Sequence, residues 1–236
     1  MWLALPVDLT ASVSEFTGIV FSGLTDSAGS IGFVLTLLVC MLLVLRIALP
    51  LPELLRFIMQ LMAMLLISFA TKSALKQATE SPRPYTELLT QQLVIPQPAH
   101  FYKLTEPRKA ALIDKVKNVS DWRIRHWLTE MNYSFPSGHT LFAAVCLVMF
   151  GGVFCRARRP GLVVLITAWA SMIAYSRLWL GMHRVEDLIG SVVCVAVMLL
   201  LVPQFGRQAR WLLRLLEKLG WRQKLESMLG KVATNS

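Results

Sequence analysis

The stretch Ser176–Asp187, S-R-L-W-L-G-M-H-R-V-E-D, leaves one apolar run, turns and enters another, and it carries residue types that handle phosphate chemistry. Arg177 offers a fixed cation with a fork of N–H donors that fits phosphate oxygens. His183 is the side chain best suited to attack, or to gain and lose a proton, near neutral pH. Asp187 follows four residues later, so on a helix it would share a face with His183 and could orient the imidazole. Two further stretches have the same character. Lys76-Gln-Ala-Thr-Glu-Ser-Pro-Arg83-Pro84 brings two cations, with prolines fixing the backbone around Arg83. Pro136-Ser137-Gly138-His139 opens an apolar run: Ser caps free N–H groups, Gly lets an anion approach, and the positive helix end favours a phosphate. His139 would stand beside that anion. Taken singly, these are a solvated helix junction, a headgroup anchor and a plain N-cap.

The chain that must position them is apolar. Of 236 residues 55% are hydrophobic and 16% charged, mean hydropathy is +0.56, and the apolar residues form long blocks. This is the composition of an all-α, multi-pass membrane protein of one domain. The net charge of +10 fits Lys and Arg gathered near anionic headgroups, and no nucleic-acid motif accompanies it. Cys40, Cys146, Cys155 and Cys194 lie in or at the ends of apolar runs without metal-ligand spacing, as packing residues. The start lacks the basic region of a cleavable signal peptide.

Five spans are expected: Ile31–Leu49, Leu54–Ser73, Gly138–Phe154, Gly161–Tyr175 and Asp187–Val202. Trp2–Val7 is too short to cross; a truncated first span ending near Trp2–Pro6 would make six. Val13–Leu24 reads as an interfacial helix. Residues 31–205 form the membrane core, and 74–135 form a polar loop region, with charged helical character from Glu106 to Met131. Residues 206–236 form a basic tail whose Leu212, Leu215, Leu216, Leu219 and Leu225 suit one face of an amphipathic surface helix. Arg46 with Arg56, then Arg156, Arg158 and Arg159, then the tail all fall on one side of the membrane, which the positive-inside rule makes cytoplasmic. All three phosphate-handling stretches fall on the other. Their convergence at one membrane depth brings Lys76, Arg83, Arg177, a backbone cradle at Ser137–Gly138, two histidines and a carboxylate into one site, an inventory for phosphoryl chemistry with a nucleophile and a proton donor. Three such coincidences make the plainer readings hard to sustain. The cations would repel a divalent metal, so neither metal nor cofactor is expected.

The patterns K-x6-R-P (Lys76, Arg83, Pro84), P-S-G-H (Pro136 to His139) and S-R-x5-H-x3-D (Ser176, Arg177, His183, Asp187) resemble those of the PAP2, or type 2 phosphatidic acid phosphatase, superfamily, and all three match in full. The resemblance implies a metal-independent lipid phosphatase. His183 would form a phosphohistidine with Asp187 holding its tautomer, and His139 would protonate the leaving oxygen and then activate water. Lys76, Arg83, Ser137, Gly138 and Arg177 would hold the phosphoryl oxygens. It implies lipid partners in a bacterial inner membrane, a periplasmic site and a cytoplasmic C-terminus. Substrates would be phosphatidylglycerol phosphate, undecaprenyl diphosphate or phosphatidate-type lipids. A lipid-to-lipid phosphotransferase would use the same residues, and a lipid-binding protein would keep the cations without needing His183 or Asp187. A monomer is compatible with this reading. His100 and His126 match no motif and read as loop histidines.

Overall fold

A computed structural model describes residues 7–234, so the short group at Trp2–Val7, apart from Val7, and any truncated span there lie outside the described residues. Every regular element described is helical. In chain order these are α1 (Glu15–Ser27), α2 (Gly32–Arg46), α3 (Leu51–Thr79), α4 (Pro84–Gln91), α5 (Pro98–Tyr102), α6 (Glu106–Ile113) and α7 (Asp121–Thr129). Then follow α8 (Gly138–Cys146), a π-helical segment (Leu147–Gly151), α9 (Gly152–Arg156), α10 (Pro160–Trp179), α11 (Val185–Leu201), α12 (Gly206–Lys218) and α13 (Arg222–Thr234).

The chain is a multi-pass helical bundle. Three helical stretches are individually long and apolar enough to cross a bilayer: α3, the α8–π–α9 rod and α10. The first and last expected spans differ from the sequence reading. The α2 helix has 15 residues and α11 has 17, so each reaches spanning length only with a neighbour, α1 bent from it by 73° and α12 by 63°. Counting each bent pair as one span gives up to five. The second span runs past its expected end at Ser73: α3 continues to Thr79, where Glu80 takes a left-handed φ of 45° and Pro82 prevents further helix.

The α8 rod is the middle of the bundle, with every residue from Thr140 to Cys146 buried against α3, α10 and α11. Around it Leu54, Phe57, Met64, Phe150, Ile173 and Val195 make one apolar core. Outward faces of α2, α10 and α11 expose Leu35, Leu38, Val164, Leu165, Val192 and Val193, as lipid-facing helices do.

A second core caps one end of the bundle. Tyr85, Leu89, Ile95, Phe101, Ile113 and Trp127 from α4–α7 and the intervening chain pack on Trp179, at the end of α10, and on Leu180 and Met182 of the turn that follows it. The charged stretch from Glu106 to Met131 is two helices, α6 and α7, rather than one. Neither remaining histidine is in a loop: His100 is on α5, and His126 is buried on α7, where Nε2 lies 3.2 Å from Ser22 Oγ of α1.

At the other end the tail is two helices, broken at Gly220 with φ +70°. Ala209 and Leu213 are the buried residues of α12, which packs on α3; Arg56 Nη2 donates to Gln204 Oε1 at 3.1 Å nearby. Trp211 and Leu219 are exposed.

Candidate functional site

Helix direction alone brings the three motifs together. The C-terminal end of α3, the N-terminus of α8, the end of α10 and the start of α11 all meet at the end of the bundle covered by the α4–α7 cap.

His183 stands in the turn before α11 rather than on it, and Asp187 is in the first turn of that helix. Asp187 Oδ2 accepts from the Arg184 backbone N–H (2.9 Å) and Ser134 Oγ (2.5 Å), and it lies 3.4 Å from His183 Nδ1. Capping its own helix start thus fixes the carboxylate that faces the imidazole. Ser134 Oγ is also 3.2 Å from Nδ1. The opposite nitrogen, Nε2, is 3.3 Å from Arg83 Nη1. Burial pushes the His183 imidazole well below its ordinary pKa, against its hydrogen bond to the Asp187 carboxylate, which favours the charged form. Burial thus favours the neutral ring. With Nδ1–H facing the carboxylate, the Nε2 lone pair faces the cations.

The cations converge on one short segment. Arg83 is fully buried; it donates through Nε to Asn132 O (2.7 Å), and through Nη2 to Asn132 Oδ1 (2.7 Å) and Glu130 Oε2 (3.0 Å). Arg177, also fully buried, donates through Nη2 to Glu130 Oε1 at 2.7 Å. Its Nε and Nη1 are buried with no hydrogen-bond partner among the described residues. Lys76 Nζ donates to Asn132 Oδ1 (3.2 Å) and to Tyr133 O. His139, on the first turn of α8, has Nδ1 3.6 Å from Glu130 Oε1. Burial alone would raise the Glu130 carboxyl, but Arg177 and Arg83 beside it hold it well below the usual carboxylate range.

Ser137 is the N-cap of α8: its Oγ accepts from Thr140 Oγ1 at 3.0 Å and faces Thr140 N at 3.4 Å. Its own N–H is not free for an anion, being donated to Ser191 Oγ at 3.0 Å. A Cβ at Gly138 would sit 2.9 Å from Lys72 Cδ, so glycine there admits the Lys72 stem. Among the described residues no three His, Cys, Asp or Glu side chains stand together as metal ligands. A cleft of about 320 Å³ lined by Val94, His100, Arg108 and Lys115 lies on the cap, away from the motif residues.

The surroundings hold these groups by directional bonds. Trp127 Nε1 donates to Leu180 O (2.7 Å) and Arg123 Nε to Trp179 O (3.2 Å), pinning the turn that carries His183. Tyr85 N donates to Gly181 O (3.1 Å), and Gly181 has φ +68°, with Leu9 packed where a Cβ would be. The Arg83 N–H donates to Tyr102 Oη (2.8 Å), and Arg184 Nη1 to Pro82 O (2.6 Å). From α1, Thr25 Oγ1 meets Ser176 Oγ at 2.7 Å beside Arg177. All eight expected site residues are thus at one end of the bundle. Glu130, Asn132, Ser134 and Ser191 were missed. Only Ser134 had a local signal, standing three residues ahead of Ser137 in a stretch already singled out.

The PAP2 superfamily pattern matches residues 57–211. The chain is similar to phosphatidylglycerophosphatase B of Escherichia coli (strain K12), 33% identical over 133 residues that cover 55% of this chain and 52% of that protein. It is likewise similar to phosphatidylglycerophosphatase B of Haemophilus influenzae, 34% identical over 129 residues, covering 51% of this chain and 53% of that one. The chain spans about half the length of the curated relatives it matches.

Proposed function

The chain belongs to the PAP2 superfamily, and from that premise we propose that it removes the terminal phosphate of membrane lipids through a phosphohistidine on His183, with no metal ion. The observation that carries this reading is the orientation of one ring: Nδ1 faces Asp187 and Ser134, while Nε2 points at Arg83 among the cations. Such a ring is a preformed nucleophile.

In the first step Nε2 of His183 attacks phosphorus in line with the leaving lipid oxygen. A P–N bond forms, the P–O bond breaks, and His139 gives its proton to that oxygen. In the second step His139 takes a proton from water, whose oxygen attacks phosphorus; the P–N bond breaks and orthophosphate leaves. Arg83, Arg177 and Lys76 neutralise charge on the phosphoryl oxygens, the chief requirement in phosphoryl transfer. Ser137 and Gly138 serve by shaping the α8 terminus, with its positive end toward the site. The three cations already supply the charge that a divalent ion would bring.

The substrates proposed are phosphatidylglycerol phosphate, undecaprenyl diphosphate and phosphatidate-type lipids; the name shared by the curated relatives supports the first. The domain reading is one PAP2 unit: membrane core 31–205, loop region 74–135 forming the cap, and basic tail 206–236. The tail and the turns with Arg46 and Arg156–Arg159 lie at the end opposite the site, which supports a cytoplasmic C-terminus and a periplasmic site in a bacterial inner membrane.

The test is phosphate release from a panel of purified lipids by the full chain in detergent, with EDTA present. Release should persist in EDTA, be blocked by vanadate and vanish in His183→Ala and His139→Ala. Full activity in either variant sinks the mechanism.

A further inference from the structure

Glu130 lies where a substrate phosphate would have to go. Its two oxygens receive Arg83 and Arg177, one each, and His139 Nδ1 is 3.6 Å from Oε1, so two cations assigned to the phosphate and the proposed proton donor already face an anion of the protein itself. That anion fits the site incompletely. A carboxylate has one charge and two oxygens, and Arg177 Nε and Nη1 remain buried without an acceptor among the described residues. Leaving such donors unpaired is costly. A terminal phosphate carries close to two charges and three acceptor oxygens, enough for the donors Glu130 holds and those it leaves empty.

We propose that Glu130 is a specificity-determining residue, an internal carboxylate plug that only a dianionic terminal phosphate displaces. This rests on the phosphatase reading and deepens it. The membrane around the site is rich in phosphodiester headgroups, which carry a single charge and two free oxygens. Such a diester offers Arg83 and Arg177 no more than Glu130 does, and Glu130 is tethered in place. A phosphomonoester or a diphosphate terminus offers more, so it wins the exchange. The plug therefore raises the apparent dissociation constant of every anion by the reciprocal of the fraction of molecules left unplugged, and it excludes weakly charged ones. It reaches the site from the residue after α7, where Tyr85 Oη donates to Glu130 O at 3.4 Å, so its backbone is anchored outside the helix while the side chain carries the charge.

The test is direct binding of inorganic phosphate and of dimethyl phosphate, a diester monoanion, to the detergent-solubilised full chain by calorimetry. Lipid hydrolysis is followed in parallel. Glu130→Gln keeps the shape and removes the charge. It should bind inorganic phosphate at least about tenfold tighter than the native chain, and dimethyl phosphate, bound negligibly by the native chain, should now bind measurably. Should the amide variant not fold, Glu130→Asp keeps the charge but shortens its reach, and it should tighten phosphate binding by a smaller factor. Unchanged or weaker phosphate binding in a folded variant, with the native chain still hydrolysing lipid, overturns the plug and leaves the phosphatase reading standing. A native chain that neither binds phosphate nor hydrolyses lipid overturns both.

Discussion

On the bundle side of the site, Phe57, Phe150, Ile173 and Val195 pack as an apolar core. On the cap side, Trp127, Arg123 and Tyr102 each combine packing with a hydrogen bond to the backbone that carries Arg83 or leads into His183. Packing is non-directional and places helices; the hydrogen bonds fix the register of a turn to within the tolerance that chemistry needs. The bundle thus decides that the motifs meet, and the cap decides how they face each other. His183 shows the result, with both ring nitrogens assigned to neighbours, while His139, seated on the bundle's central rod, is held by a single ion pair, at 3.6 Å from Glu130.

The sharpest way to break this contrast is Asp187→Asn, which keeps the shape but can present an amide N–H to His183. Loss of the tautomer-fixing carboxylate should lower kcat by about 10³-fold or more, with membrane insertion intact, measured as phosphate release per folded molecule. Next, Trp127→Ala and Phe150→Ala delete comparable rings from the two cores, and each should cost about 3–5 kcal/mol in detergent unfolding. Their kinetics should part: kcat falls at least about tenfold in the cap variant and less than about threefold in the bundle variant, since only the first frees the turn. Equal losses of kcat would erase the distinction. Trp127→Phe isolates the hydrogen bond, at about 1 kcal/mol of stability, and should still slow turnover. The smallest effect is on pH. Burial lowers the pKa of His126 and His183 in the folded chain, so the unfolded chain binds protons that the folded one excludes. Stability should be level above about pH 6.5 and decline as pH falls below it, and His126→Gln should shrink that decline.

Much of this architecture could be read from residue order. The motif residues are local words with fixed spacing, and the apolar blocks that deliver them are long enough to recognise. Glu130 was hidden because it closes a charged stretch in which a solvated face is the ordinary outcome. Its meaning comes from Arg83 and Arg177, each 47 residues away. Ser191 was hidden by its place inside an apolar helix, where it bonds Ser137 and the backbone of Asp187. In the tail, hydrophobic spacing marks an apolar face of the helix but not the one the bundle takes, which is that of Ala209 and Leu213. The bends after α1 and α11 depend on packing between neighbours, which no periodicity encodes.

The overshoot of α3 also has a consequence for the substrate's journey. Its 29 residues extend for roughly 43 Å, against a hydrocarbon layer of about 30 Å. Lys76 stands in the last turn of that helix, at the end that carries the proposed site. On the proposed reading, a lipid would then need neither to drag its phosphate into oil nor to lift its tails into water, because the site would meet it at the headgroup plane.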